Sequence, residues 1–170
     1  DITAESLSIT AASVGSSSDS LDTDVANLTL NIAGATYLNE ANALTVSSAS
    51  TGLFSLTSAG STVLTSVNAS GAVTVTLSAG DLTVGSLTAS QQTVSLSTTG
   101  AVLDGDEATD ITAQSLSITA ASVGSSSDSL DTDVASLTLN VTGAAYLNEA
   151  NTLTVASAST GLFGLTSAGS

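Results

Sequence analysis

Apolar side chains alternate with Ser or Thr in short bursts along the chain: Leu7 and Ile9, Leu28 and Leu30, Val73 and Val75, Val94 and Leu96, Leu116 and Ile118. Most burst starts lie about 21 or 22 residues apart, and the longer gap before Val73 has room for one more turn near Leu53–Leu56. A second series runs between them, through Leu44 and Val46, Val63 and Leu64, and Leu82 and Val84. Strict alternation over four to six residues predicts strands, because successive strand side chains point to opposite faces. Val73–Leu77 is the clearest case, with β-branched residues on both faces. Clusters at Gly15–Ser20, Asn39–Asn42, Ala79–Asp81 and Asp104–Glu107 punctuate the bursts as turns.

A longer period encloses this one. Asp1–Ser61 returns as Asp110–Ser170 at an offset of 109, with eight differing positions, among them Thr36/Ala145, Asn27/Ser136 and Ser55/Gly164. The chain starts and stops inside this pattern, as a window on a longer array would. Short strands at this spacing also fit an antiparallel sandwich. A sandwich usually shows tight Asn-Gly or Asp-Gly hairpins, and Asp104–Gly105 is the only such dipeptide. The nested periods favour an all-β parallel β-helix, or β-solenoid. The expectation is about 22 residues per coil and five coils per 109-residue repeat. Residues 1–109 are then one full repeat and 110–170 the first part of the next, in one continuous solenoid without separate domains. Like residues stack on like in such a fold. Leu, Val and Ile would form dry inner columns, and Ser, Thr and Asn would form hydrogen-bonded ladders outside.

Composition sharpens this picture. Of 170 residues 42% are hydrophobic, only 2% are aromatic, and mean hydropathy is +0.43. That argues for a thin core of small aliphatics rather than disorder. Ser and Thr make up roughly 35% of the chain, far above average usage. Lys, Arg, His, Cys, Pro, Met and Trp are absent, and fifteen acidic residues leave a net charge of −15. These absences exclude Ser–His, Schiff-base and thiol chemistry and His/Cys zinc sites. They also remove the cationic footprint that nucleic-acid binding needs. No run approaches the roughly 18 apolar residues of a membrane span.

Three segments carry a family resemblance. They are Gly15–Thr29 with its Ser-rich Asp-Thr-Asp stretch, Tyr37–Thr45 with Tyr-Leu-Asn-Glu-Ala, and Leu103–Ala113 with Asp-Gly-Asp leading into Ser115–Thr119. In this order they resemble the repeats of giant bacterial filamentous-haemagglutinin-type surface proteins. The resemblance spans the whole chain. It implies a right-handed parallel β-helix in a very long secreted or cell-surface protein of adhesive or fibrous character, and it implies no catalytic residues.

Clustered carboxylates are the candidate sites. Asp104, Asp106, Glu107 and Asp110 form one group around Gly105; Asp19, Asp22 and Asp24 form another, repeated at Asp128, Asp131 and Asp133. Carboxylates gathered on a Gly-containing turn suit calcium, which also offsets self-repulsion; the bland alternative is a solvated corner. No cofactor is required. A carboxylate pair for polysaccharide cleavage is a remote alternative. A sugar cleft needs aromatics and cations, and a catalytic pair would not recur in every repeat. Tyr37 and Phe54, repeated as Tyr146 and Phe163, are expected to cap the ends of the thin core. Sequons start at Asn27, Asn68 and Asn140, but Asn27 becomes Ser136 in the second copy. A threonine face at Thr74 and Thr76 lacks the coil-to-coil identity that ice binding needs. The expectation is a non-enzymatic structural segment of an extracellular fibre or adhesin shaft. Its partners would be adjoining repeats of the same fibre, lateral copies or surface glycans, and not nucleic acid. The rival is an adhesive carbohydrate- or cell-surface-binding module.

Overall fold

A computed structural model describes residues 2–169. Among them there are seventeen strands and no helix. The first nine are β1 (Ile2–Ala11), β2 (Leu21–Ile32), β3 (Thr36–Glu40), β4 (Leu44–Thr51), β5 (Phe54–Ser58), β6 (Thr62–Leu64), β7 (Val67–Ala69), β8 (Val73–Leu77) and β9 (Leu82–Val84). The remainder are β10 (Leu87–Ser97), β11 (Ala101–Asp104), β12 (Ile111–Ala120), β13 (Ser122–Val123), β14 (Leu130–Val141), β15 (Ala144–Glu149), β16 (Thr154–Ser159) and β17 (Leu162–Ser167). All pair in parallel within one sheet that winds into a β-solenoid.

The pairing resolves into three ladders. The first contains the start of β2, then β3, β5 and β8, the ends of β10, β12 and β14, and finally β16. The second runs from the middle of β2 through the start of β4 to β6, β9, β11, β13, β15 and β17. The third links the end of β4 to β7, the starts of β10, β12 and β14, and β15. β4 runs from the second ladder into the third, β10, β12 and β14 run from the third into the first, and β2 runs from the first into the second, so the three ladders are successive faces of each coil.

Burial alternates along most of the strands. Val73, Val75 and Leu77 face inward while Thr74 and Thr76 face out. Like stacks on like, as expected. One column runs Leu56, Val75, Leu96, Ile118, Leu139, and its outer neighbour runs Asn39, Thr57, Thr76, Ser97, Thr119, Asn140. Inward hydroxyls fill the corners. Thr36 and Thr51 are bonded to each other at 2.9 Å, and Thr98 Oγ1 donates to the Gly80 carbonyl at 2.6 Å. These satisfy polar groups that a turn takes out of the ladders.

The coil is shorter and less regular than the sequence spacing predicts. Ladder steps range from Leu21–Leu38 to Leu87–Ile111 and average about 20 residues. The longest step arises where β10 carries extra residues between Ala89 and Thr93, with Gln91 in the left-handed region at φ 61°. The 109-residue unit is therefore not five whole coils. Leu7 stacks through Leu28, Val46, Leu64 and Val84 to Asp104 on the second ladder. Its copy, Leu116, stacks on Val94, Val73 and Phe54 on the first. One unit thus makes about five and a half turns, and the same sequence lies on different faces in successive copies. Leu28 and Val73 consequently share the core but not a column.

The aromatics divide as well. Phe54 is fully buried in the core, whereas Tyr37 alternates with inward Thr36 and Leu38 and lies half-buried on the outer side. The tyrosines do not cap the core.

Candidate functional site: the carboxylate network

Fifteen acids without a Lys, Arg or His must be accommodated by hydrogen bonds, water or a shifted protonation state. The Asp-Thr-Asp and Asn-Glu-Ala-Asn segments solve this together. On β2, Asp22 and Asp24 point out and Thr23 points in. One coil on, Asn39 Nδ2 donates to Asp22 Oδ1 at 2.9 Å and Asn42 Nδ2 to Asp24 Oδ1 at 2.8 Å. Between them Glu40, only 1% exposed, turns into the core. Its carboxylate accepts from Thr23 Oγ1 at 2.8 Å, from Val25 N at 3.2 Å and from Asn42 N at 3.2 Å. Val25 and Asn42 lie where β2 passes from β3 to β4 as its neighbour, so their N–H groups have left the ladders. Glu40 is an internal cap for that corner.

The second copy rebuilds this staple. Asn148 Nδ2 donates to Asp131 Oδ1 at 2.7 Å, and Asn151 Nδ2 pairs with Asp133 Oδ1. Glu149, with no exposed surface, accepts from Thr132 Oγ1 at 2.9 Å, Val134 N at 3.1 Å and Asn151 N at 3.2 Å. Sequence reasoning placed acids at solvated corners and missed both glutamates. The available signal was the matched spacing of Thr23 from Glu40 and of Thr132 from Glu149, one coil in that part of the chain. Asp19 and Asp128 sit elsewhere, in exposed four-residue turns closed by Ser16 N donating to Asp19 O at 2.9 Å and Ser125 N to Asp128 O at 2.6 Å.

The Asp104–Asp110 group is spread out rather than gathered. Asp104 Oδ1 accepts from Asp106 N at 2.8 Å and Asp106 Oδ1 from Ala108 N at 2.7 Å, so two of the acids fold their own turn. Gly105 is required by close approach: a Cβ there would meet the Val84 carbonyl oxygen at 2.6 Å. Asp104 and Glu107 instead face Asp128 and Asp131 of the next coil across a polar groove of about 230 Å³. Burial raises the Asp104 carboxyl above its ordinary value, and Asp128 and Asp131 add to the rise against the opposing bond from Asp106 N. Asp110 is fully buried. Its Oδ2 accepts from Asp131 N at 2.9 Å, while Oδ1 has no partner. Desolvation pushes Asp110 up to about 8 against the bond from Asp131 N, with the negative Asp104 adding to the rise. Among the described residues no three carboxylates stand close enough to hold a metal ion. A cation in this groove would have to draw them together.

The chain matches no protein-family model, no curated protein and no solved structure. No helix of the described residues is long and apolar enough to cross a membrane.

Proposed function

We propose that this chain is a structural segment of a long extracellular fibre or adhesin shaft, and that its role is mechanical. The observation that carries the reading is the recurrence of the Asp–Asn and buried-glutamate staple at 22–42 and 131–151 within one unbroken stack. Each coil buries a small core and bonds its backbone to both neighbours, so stability accumulates with length. The absence of Lys and Arg leaves trypsin-like proteases no cleavage site, which suits an exposed shaft. The resemblance to filamentous-haemagglutinin-type repeats points the same way, and secretion or cell-surface display belongs to this proposal.

Electron microscopy of arrays of one to four 109-residue units tests it. At about 4.8 Å per layer and five and a half turns, each unit should add about 26 Å of length. Antibody labelling of intact source cells should reach the repeat. Particles that do not lengthen, or a repeat reachable only after lysis, would refute the reading.

A further inference from the structure

Asp110 lies where an acid should be wet, and it is dry. Ile111 points into the core, so alternation puts the side chain before it on the outer side of the sheet. The register sets Ser66, Ser86, Asp110 and Asp131 in one outer column. The other three keep exposed surface, and Asp110 has none. Its neighbours show what covers it. Burial pushes its carboxyl up to about 8, with the negative Asp104 and Asp131 adding to the rise and the Asp131 and Gly105 N–H groups opposing it. Asp104 ends β11 and Gly105 opens the loop 105–109, which leads into β12 and is exposed at every residue. That loop lies over Asp110. Bonds from Asp106 N to Asp104 Oδ1 at 2.8 Å and from Ala108 N to Asp106 Oδ1 at 2.7 Å curl it into shape. It belongs to no strand.

The covered carboxyl lacks what the two buried glutamates have. Glu40 and Glu149 each accept from a threonine hydroxyl and two backbone N–H groups. Asp110 accepts one bond, from Asp131 N, and its Oδ1 has no partner. The charged groups packed around it are all acids: Asp104 on β11, Asp106 and Glu107 in the loop, Asp128 in the turn before β14, and Asp131 and Asp133 on β14. β10, which pairs with β12, carries no titratable group, and the chain has no Lys, Arg or His. A dry carboxylate so placed is strongly disfavoured, so the group stays neutral or must reach water. From this arrangement we propose that the loop 105–109 is a strap across the unit boundary, closed over Asp110 while that residue carries its proton and lifted when the proton leaves. Lifting also parts Asp104 and Glu107 from Asp128 and Asp131 across their shared groove. The core below need not open, because Ile111 and Val102 remain paired through β10, β9 and β13. In a shaft the strap would make each boundary firmer in acid and looser in alkali, but the device does not depend on the shaft reading.

The test cleaves the intact 170-residue chain with a protease specific for bonds after glutamate, in excess chelator so that no cation holds the loop. Glu40 and Glu149 are buried, while Glu5 and Glu107 are exposed. Each rate is divided by that of Asp110→Asn at the same pH, which cancels the pH dependence of the protease. Asparagine keeps the shape and an acceptor for Asp131 N, and it cannot ionise. Well below pH 8 the ratio after Glu107 should be near one. Well above it the ratio should rise at least about ten-fold, with the ratio after Glu5 and the circular dichroism unchanged. Amide exchange at Asp131 N, relative to the same variant, should follow the same course. Asp131→Asn removes one of the charges that hold the proton, so there the rise should begin at lower pH. A ratio near one at every pH overturns the proposal. A rise matched after Glu5 or accompanied by loss of circular dichroism does so too, because the stack and not the strap has then opened.

Discussion

Replacing Glu40 by alanine removes the one acceptor that serves three donors in a dry corner. Thr23 Oγ1, Val25 N and Asn42 N all lose their partner. Hydrogen bonds to a charged group contribute about 1.5–3 kcal/mol each, and every buried donor left unpaired costs about 1–3 kcal/mol. Part of this is offset, because the variant no longer has to bury a carboxylate, which costs several kcal/mol on its own. Thr23 can rotate toward another acceptor, while the two backbone donors cannot. The net expectation is a loss of about 3–5 kcal/mol, the range seen when one member of a buried ionic arrangement is deleted. Glu40→Gln keeps the shape and one acceptor oxygen for Val25 N and Asn42 N, and its N–H₂ can donate to the Thr23 hydroxyl, so it should cost less than alanine and more than a surface change. Glu149→Ala should behave like Glu40→Ala, since its partners and distances are nearly the same. Guanidinium unfolding followed by circular dichroism gives the midpoint. Amide exchange at Val25 and Asn42 reports the corner itself, which matters because stacked coils need not unfold in one step. If alanine and glutamine both lie within about 0.5 kcal/mol of the parent, as neutral surface changes do, the glutamate is not a cap and the reasoning fails.

Asp110 makes stability depend on pH. Its carboxyl is raised from 3.8 to about 8 in the fold, so its contribution is fully present below about 3.8 and is lost as pH rises through about 8. The chain should become less stable across that window, and Asp110→Asn should flatten the slope; thermal melts at several pH values decide, and an unchanged slope removes the assignment. Gln91, left-handed at φ 61°, should tolerate glycine with a gain of up to about 1 kcal/mol; destabilisation on denaturant titration would show that its side chain matters more than its backbone. Gly124, at φ 53° with a notional Cβ 2.7 Å from the Tyr146 carbonyl oxygen, should not tolerate alanine. A loss of at least about 2 kcal/mol is expected from strain plus displacement of the next coil, and a near-neutral result would refute the close approach.

Strand identity and parallel stacking were legible because alternation of Leu, Val and Ile with Ser and Thr leaves little choice of period. Val73–Leu77 behaves as its pattern demands. The coil length was less legible. The bursts at Val73, Val94 and Leu116 form one column, but Leu28, Val46 and Leu64 form another whose steps are shorter. Averaging over both hid the half turn. The third ladder was invisible because its inner positions include Ala49, Ala69 and Ala89, which carry little hydrophobic contrast against Ser and Thr. In the acidic clusters, residue type was a poor guide to environment. Asp106 folds its turn, Asp104 faces a groove, Asp110 is buried, and only the pairing register distinguishes them.

The half-turn offset bears on what such a chain can present to a partner. In the first copy the turn at Ser16–Asp19 interrupts the first ladder, between Val14 and Leu21. In the second, Ser125–Asp128 falls on a different part of the coil, between Val123 on the second ladder and Leu130 on the third. The Asp–Asn pairs exchange sides in the same way, because they move with their strands. A unit of whole coils would align every such turn on one face, about 26 Å apart. The fractional unit distributes the same charge over different faces, and like turns of successive units lie about 26 Å apart along the axis. That distance is several screening lengths at physiological salt, where charges farther apart than about 8 Å hardly interact. Close repulsion is confined to the unit boundary, where Asp104 and Glu107 of one unit face Asp128 and Asp131 of the next across one groove, and where burial and then the charges of Asp128 and Asp131 raise the Asp104 carboxyl. Extending a chain with no cations thus adds one acidic contact per junction, at Asp104, and no repulsion that grows between the distant turns.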